Sequence, residues 1–124
     1  MSIWTILDYV DESGGNPIAK WLFEIPRDAE AAIQGRLLLM EGLTTWQPKW
    51  HTKLTDGDGL VELRIPHNKV QYRPLGCFLP GRTFVLLCGT IEKNDEIPKR
   101  HIDTASRRMK QLIKDNSRVT PHEF

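Results

Sequence analysis

Cysteine is scarce in this sequence, with only Cys77 and Cys88 among 124 residues. Two cysteines are too few for a disulfide scaffold or for a zinc site built from cysteine ligands. The pattern places them on the two arms of one hairpin that turns at Pro80-Gly81. They are several residues out of register there, which excludes a bridge between their sulfur atoms. We expect both cysteines to be reduced, buried core residues.

Long apolar runs are also missing. No segment has the ~18–20 uncharged apolar residues that a membrane-spanning helix requires. The N-terminus has no basic region followed by an apolar run, so it does not read as a secretory signal. A chain of 124 residues, 40% of them hydrophobic, has the size and the core of one domain. We therefore expect a cytoplasmic protein with no membrane partner.

The common catalytic and nucleotide-binding motifs are absent as well. There is no glycine-rich phosphate loop, no pair of cysteines separated by two residues, and neither the zinc-protease nor the serine-nucleophile motif. The four histidines, at positions 51, 67, 101 and 122, do not have the spacing of metal ligands. The sequence therefore predicts neither a metal site nor a bound cofactor.

Charge is distributed unevenly along the chain. Residues 1–48 contain three basic and seven acidic side chains, whereas residues 49–124 contain fourteen basic and nine acidic ones. A basic half is compatible with a polyanionic partner such as nucleic acid. The sequence pI of about 7.8 is lower than that of an obvious nucleic-acid-binding protein, so any such binding must depend on a local patch.

Hydrophobic periodicity and breaker residues predict the order of the elements. A strand over 3–10 precedes two helices, of which the first begins after the cap Asn16-Pro17 and ends at Pro26. The other predicted segments are a helix over 28–42, a linker over 44–59 that ends in the turn 56–59, strands over 60–65, 70–79 and 83–89, and a helix over 98–114. The apolar run 83–89 is typical of a central strand, and the last helix has an apolar stripe at helical spacing, formed by Ile102, Ala105, Met109 and Leu112. Pro74 and Gly76 predict an irregularity in the middle strand.

This order is typical of an α+β fold with a small, mostly antiparallel sheet. It consists of one N-terminal strand, two helices, a three-stranded meander and a C-terminal helix. We expect residues 1–114 to form a single domain. Residues 115–124 are polar, and we expect them to be a loosely held tail.

Several cations are placed to project from the predicted sheet or from its borders. Arg64 lies on the polar face of an alternating strand, Arg73 lies in the next strand, and Lys53 and Lys93 lie just before and just after the meander. Grouped on one surface, such cations can hold an RNA backbone and stabilise the charge of a phosphoryl-transfer transition state. From the pattern alone, the simpler interpretation is that Arg64 and Arg73 are ordinary solvated strand residues.

Short runs in a fixed order cover most of the chain. They are Lys53-Leu54, Gly59 to Ile65, Tyr72-Arg73-Pro74-Leu75, Gly81 to Leu87, Glu92-Lys93 and Ile97-Pro98, followed by Ala105 and Arg108. In this order and spacing, the chain resembles the RelE/HigB toxin superfamily, above all its phage-derived branch. The likeness spans about residues 3–113.

The resemblance implies a RelE-like fold and a function. The protein would be the toxin of a type II toxin–antitoxin pair, an endoribonuclease that cuts mRNA in the decoding site of the ribosome. Its partners would be mRNA on the ribosome and a cognate antitoxin, with which it could form an oligomer. Cleavage of RNA needs no metal when the ribose 2′-hydroxyl is the nucleophile, but it needs a proton acceptor and a proton donor.

The resemblance also implies roles for individual residues. Arg73 would contact the scissile phosphate, and Arg64 would hold the RNA backbone or take part in proton transfer. Lys93 would be the cation that follows the last strand, and Lys53 would contact RNA. On the C-terminal helix, the basic residues Arg100 and Arg107 would face RNA, although a solvated helix face is the simpler interpretation.

Two departures from the family pattern leave a second function open. No tyrosine follows Tyr72, so only His101 or His122 could provide an acid–base group near the C-terminal helix, and His101 could equally be a helix-surface residue. The turn 92–96 contains three acids and one lysine, where the family usually has several basic residues. The alternative is a non-catalytic, phage-derived relative that keeps the fold and binds a protein or RNA partner.

Overall fold

A computed structural model describes residues 2–55 and 59–124. The helices are α1 (Pro17–Glu24), α2 (Arg27–Glu41) and α3 (Lys99–Lys114), and a 3₁₀ turn covers Pro48–Trp50. The strands are β1 (Thr5–Tyr9), β2 (His51–Lys53), β3 (Val61–Leu63), β4 (Ile65–His67), β5 (Val70–Tyr72), β6 (Leu75–Leu79), β7 (Thr83–Cys88) and β8 (Val119–Pro121). The predicted α+β class is confirmed.

Six strands form the main sheet, in the order β2-β3-β6-β7-β1-β8, and β4 and β5 form a separate hairpin. All neighbouring strands of the main sheet are antiparallel except β1 and β7, which run parallel with Ile6 opposite Phe84. The predicted three-stranded meander is present as β3, β6 and β7. The sheet is therefore mostly antiparallel, as expected, but it contains six strands, whereas the meander contains three.

Each face of the sheet is covered by helices. Phe84 and Leu86 of β7 pack in the core beneath α1 and α2, whereas Val85 and Leu87 pack in a second core beneath α3. Alternate side chains of a strand point to opposite faces, so an uninterrupted apolar strand can fill both cores. The apolar run 83–89 was predicted to be such a central strand, and the structure confirms it.

The caps predicted from sequence explain where two helices begin. At the start of α1, the side-chain oxygen of Asn16 accepts a hydrogen bond from the backbone N–H of Ala19 at 3.0 Å, which satisfies one of the unpaired donors of the first turn. The α3 helix begins directly after Pro98. Its buried stripe is Ala105, Met109 and Leu112, as the helical spacing predicts.

Two of the predicted strands are each divided in the structure. The segment 60–65 contains β3 and the start of β4, and the segment 70–79 contains β5 and β6. The division of the second segment falls at Pro74, which has no N–H to donate to a ladder. The register between β6 and β7 also shifts between Leu75 and Gly76. The predicted irregularity at Pro74 and Gly76 is thus confirmed, and it separates the small hairpin from the main sheet.

The C-terminal segment is where the sequence-based expectation is wrong. Residues 119–121 form β8, which pairs with β1 so that Thr120 lies opposite Asp8. The side chain of His122 is buried against Asp8. This segment therefore forms an edge of the sheet and is not a loosely held tail. The strand β8 has only three residues, and polar residues flank it. So short a segment cannot show the two-residue period of a strand, and the pattern therefore did not predict it.

Both cysteines are buried and free of disulfide bonds, as expected. Cys77 lies opposite Val85, and Cys88 lies opposite Leu75. Burial raises the pKa of the Cys77 thiol from 9.0 to about 11.

The turn predicted over 56–59 falls mainly outside the described residues. Among the described helices, none has the length and apolar character needed to cross a membrane.

Candidate functional site

An open groove of about 880 Å³ lies where β3, the turn after β7 and the start of α3 meet. Its lining is strongly charged. The basic residues are Arg64, Lys93 and Lys99, and the acidic residues are Glu62, Glu92, Asp95, Glu96 and Asp103. The groove therefore brings together two of the cations singled out by sequence, together with more carboxylates than the sequence pattern indicated.

Strand alternation places Glu62 at this groove. Its neighbours in β3, Val61 and Leu63, are buried in the core beneath α1 and α2, so the side chain of Glu62 points to the opposite face, which α3 covers. The backbone of Glu62 is held on both sides, by pairing with Thr52 of β2 and Leu75 of β6. Glu62 is thus a rigidly positioned carboxylate of which only 10% of the side chain is exposed.

Two arginines approach the Glu62 carboxylate from different sides. Arg64 Nη2 lies 3.2 Å from Glu62 Oε1, and Arg73 Nε lies 3.5 Å from Glu62 Oε2. The Arg64 side chain is 44% exposed, so its guanidinium group faces both the carboxylate and solvent. A guanidinium group that is accessible and already oriented is suited to binding a phosphate through paired N–H groups.

Arg73, in contrast, is enclosed by the protein. It lies between β5 and β6, where its backbone N–H donates to the carbonyl of Thr90 at 2.8 Å. Its guanidinium group donates to the side chain of Gln71 at 3.1 Å and to the carbonyl of Tyr72 at 3.3 Å, and it lies 3.5 Å from a carboxylate oxygen of Glu92. Only 9% of the Arg73 side chain is exposed.

This burial bears on the role predicted for Arg73. The simpler interpretation of the pattern was that Arg64 and Arg73 are solvated strand residues. This interpretation is wrong for Arg73, which is buried, and it agrees with the exposed side chain of Arg64. The buried Nε of Arg73 has no hydrogen-bond acceptor among the described residues, and the nearest Glu62 oxygen lies 3.5 Å away. The predicted contact of Arg73 with a scissile phosphate stays a prediction.

The turn after β7 explains the position of Lys93. Lys93 and Glu96 are bridged through their backbones, with N–H to carbonyl distances of 2.8 and 2.9 Å. Asn94 and Asp95 between them both have positive φ values, as the two central residues of the commonest tight hairpin turn require. The turn thereby holds the exposed side chain of Lys93 at the border of the groove.

His101 lies in the first turns of α3, next to the groove and not among the described residues that line it. Partial burial lowers its pKa below the ordinary 6.5, and the positive charges of Arg100 and Lys93 lower it further. At neutral pH the ring is therefore uncharged. An uncharged imidazole is suited to accept a proton more than to donate one, and the acid–base role predicted for His101 stays a prediction.

The residues predicted to bind RNA are not gathered at the groove. Lys53 lies opposite Val61 in the ladder, so its side chain lies on the face of the sheet away from Glu62. Arg100 is exposed at the start of α3. Arg107 lies two turns later, at a separate hollow of about 450 Å³ that also contains Lys110 and Lys114. No contact in the structure tests whether these three residues bind RNA.

Glu62 and Glu92 are the site residues that sequence reasoning missed. The alternation of β3 showed that Glu62 is on the polar face, but not that it lies between two arginines. Glu92 was counted only as part of an acidic turn. A pairing of carboxylates with Arg73 depends on contacts between three separate segments, for which local periodicity contains no signal.

A second buried polar cluster lies on the face of the sheet that α1 and α2 cover. His122 Nδ1 lies 2.8 Å from Asp8 Oδ1, and His122 Nε2 lies 2.7 Å from Gln34 Oε1. The other carboxylate oxygen of Asp8 accepts a hydrogen bond from Asn16 at 2.9 Å. The side chains of His122 and Asp8 are only 1% and 3% exposed, although a small hollow of about 300 Å³ borders the cluster. His122 thus connects β8 to β1 and α2, far from the residues of the groove.

Across residues 2–55 and 59–124, no group of three or more His, Cys, Asp or Glu side chains has the arrangement of a metal site.

No curated protein matches the chain. Residues 20–110, which include the end of α1, all of α2, the whole meander and most of α3, match the family described as phage-derived protein Gp49-like (DUF891). That match agrees with the phage-derived part of the resemblance seen in the sequence. The chain belongs to the Gp49-like family of phage-derived proteins.

Proposed function

We propose that this protein is the toxin of a type II toxin–antitoxin pair and that it cuts mRNA on the ribosome, without a metal ion. The observation that carries the proposal is the groove, which Arg64 and Lys93 line together with the carboxylate of Glu62, while the enclosed Arg73 lies against the same carboxylate. Membership in the Gp49-like family is compatible with a toxin function. Its partners are mRNA in the ribosomal decoding site and a cognate antitoxin, and its place of action is the cytoplasm.

The geometry supports a division of work among the cations. Arg64 is the accessible guanidinium group and binds the non-bridging oxygens of the scissile phosphate, whose charge grows in the transition state. Arg73 lies behind Glu62 and holds it and the strand in place. The ammonium group of Lys93 lies at the border of the groove, where it stabilises the oxygen that leaves. Because the ribose 2′-hydroxyl is the nucleophile, this arrangement needs no metal-bound water.

A reconstituted translation reaction tests this function. Labelled mRNA is incubated with the protein in the presence and in the absence of ribosomes, and the fragments are mapped. We expect cleavage only with ribosomes, and a loss of about 100-fold or more in rate for Arg64→Ala, as for other groups that stabilise transition-state charge. Arg27→Ala is the matched control, because Arg27 is exposed on α2, beyond the opposite face of the sheet.

One observation favours the second candidate, a non-catalytic binding protein. Glu62 and Glu92 already surround the guanidinium group of Arg73, and further acids on the turn reduce the attraction of the groove for a polyanion. This candidate predicts a stable complex with a protein or RNA and no change in any RNA. If folded wild-type protein in excess leaves mRNA intact on ribosomes, the toxin proposal is overturned and the binding protein is favoured.

A further inference from the structure

We propose that Glu62 is the catalytic proton acceptor of this protein, the group that removes the proton from the ribose 2′-hydroxyl. This assignment rests on the proposed ribonuclease function and deepens it. It gives the groove the acid–base group that the sequence lacked, since no tyrosine follows Tyr72 and His101 does not line the groove within the described residues.

The position of Glu62 carries the assignment. Its backbone is fixed by ladder pairing on both sides, and its carboxylate lines the groove although only 10% of the side chain is exposed. A group that must meet a substrate atom at hydrogen-bond distance benefits from such rigidity, because small displacements are costly in rate. The accessible guanidinium group of Arg64, 3.2 Å away, places a bound phosphate directly beside the carboxylate.

The other acidic residues of the groove lack this combination. Asp95, Glu96 and Asp103 are exposed, and their side chains have no arginine partner among the described contacts. Glu92 contacts only Arg73 and is more exposed than Glu62, at 23%. Glu62 is thus the carboxylate that is both held by Arg73 and adjacent to the phosphate-binding candidate Arg64.

The reaction balances with groups that line the groove. The 2′-hydroxyl transfers its proton to Glu62 while its oxygen forms a bond to phosphorus. The bond between phosphorus and the 5′-oxygen breaks, and that oxygen takes a proton from the ammonium group of Lys93. The products are a 2′,3′-cyclic phosphate and a free 5′-hydroxyl. Glu62 and Lys93 then exchange protons with water, which restores both groups.

Binding of substrate frees one oxygen of the Glu62 carboxylate. In the free protein each carboxylate oxygen lies near one guanidinium group. A phosphate that engages Arg64 competes with Glu62 for the same N–H groups. The Oε1 atom then loses its partner, while Arg73 continues to hold the Oε2 side in place. Proton acceptance is thereby coupled to the presence of a phosphate.

Single-turnover cleavage of mRNA bound to ribosomes, with enzyme in excess, tests the assignment. We expect Glu62→Gln to lower the cleavage rate by about 100-fold or more while the affinity for the programmed ribosome changes little. The wild-type rate falls as the pH is lowered, because a protonated carboxyl group cannot accept a proton, and Glu62→Gln loses this dependence. Glu12→Gln, in an exposed loop, is the control and keeps the wild-type rate.

The outcomes separate this assignment from the function on which it rests. If the wild type cleaves and folded Glu62→Gln cleaves within about threefold of it, Glu62 is not the proton acceptor but the ribonuclease function stands. If folded wild-type protein does not cleave, the proposed function fails, and the assignment fails with it. Should Glu62→Gln not fold, Glu62→Asp replaces it. That variant must keep the fall in rate at low pH, and a wild-type rate that is independent of pH overturns the assignment.

Discussion

Among the described residues, the buried ionisable side chains Asp8, His122, Glu62 and Arg73 form two clusters, and the two clusters differ in how completely their polar atoms are paired. Around Asp8 and His122, the hydrogen-bond distances are 2.7–2.9 Å and both side chains are at most 3% exposed. Around Arg73 and Glu62, the ion-pair distances are 3.2–3.5 Å, Arg73 Nε lacks an acceptor among the described residues, and the cluster opens into the groove.

The difference indicates what each cluster is for. A buried ion pair with every partner present has no capacity left for a ligand, and removing one member leaves an uncompensated charge. The cluster of Asp8 and His122 therefore stabilises the attachment of β8. A cluster with long contacts, an unsatisfied donor and an exposed guanidinium group can exchange partners when a substrate arrives. The predictions below test this contrast, from the largest expected effect to the smallest.

Asp8→Ala tests the cluster of Asp8 and His122. The substitution leaves the buried ring of His122 without its carboxylate and removes the hydrogen bond from Asn16. We expect the free energy of unfolding to fall by about 3–5 kcal/mol, measured by urea denaturation. Glu12→Ala in the exposed loop after β1 is the control, with a change of about 0.5 kcal/mol or less. A loss for Asp8→Ala as small as that of the control would show that the pair does not hold β8.

Arg73→Ala tests the open cluster with the same measurement. We expect a loss of about 2 kcal/mol, smaller than for Asp8→Ala, because Glu62 retains Arg64 and water can enter the groove. Ribosome-dependent cleavage should be lost as well, because Glu62 is no longer held. A larger loss of stability than for Asp8→Ala would contradict the contrast between the two clusters. Arg27→Ala serves again as the control for both measurements.

Cys77 is a buried ionisable group for which the described residues provide no hydrogen-bond partner. Its folded pKa of about 11 lies above the ordinary 9.0 because of burial, so the unfolded thiol ionises first as the pH rises. The contribution to stability is complete below pH 9 and is lost as the pH approaches 11. We expect about 2 kcal/mol of alkaline destabilisation from this group. Urea denaturation should show an alkaline loss of stability in the wild type and a smaller one in Cys77→Ala, where the Cys88 thiol, whose pKa burial also raises, remains.

The smallest effect concerns His101 beside the groove. Its lowered pKa means that the unfolded chain binds more protons than the folded one below about pH 6.5, so stability falls slightly as the pH drops through this range. An NMR titration should give the His101 ring a pKa below the ordinary value of 6.5. Arg100→Ala should move the value upward, because it removes a repelling charge. A wild-type pKa at or above 6.5 would contradict the partial burial of the ring and the positive charges of Arg100 and Lys93 beside it.

Much of the fold follows from local pattern. The cap at Asn16, the buried stripe of α3 and the apolar central strand β7 were all predicted, since each depends on contacts within a few residues or on a single periodicity. The strands β2 and β8 were not predicted. Each has only three residues, which is too short for a period, and each forms because a distant strand offers it a ladder.

The site was predictable to a lesser degree. Arg64 and Lys93 were expected near one another and do line the same groove. The burial of Arg73 could not be expected, because its enclosure depends on Glu62 and Glu92 from other segments. Lys53 was placed with the other cations by its position in the chain. Its ladder partner Val61 puts it on the opposite face.

The sequence by itself determined the class of fold and the face on which most side chains lie, because helix and strand periods specify direction locally. Tertiary structure alone decided which charges meet. The approach of Glu62 to Arg73, and of Asp8 to His122, depends on strand register and on the return of the chain across the sheet. Such contacts join residues that are 11 and 114 positions apart. They form because a buried charge requires a partner wherever packing places one.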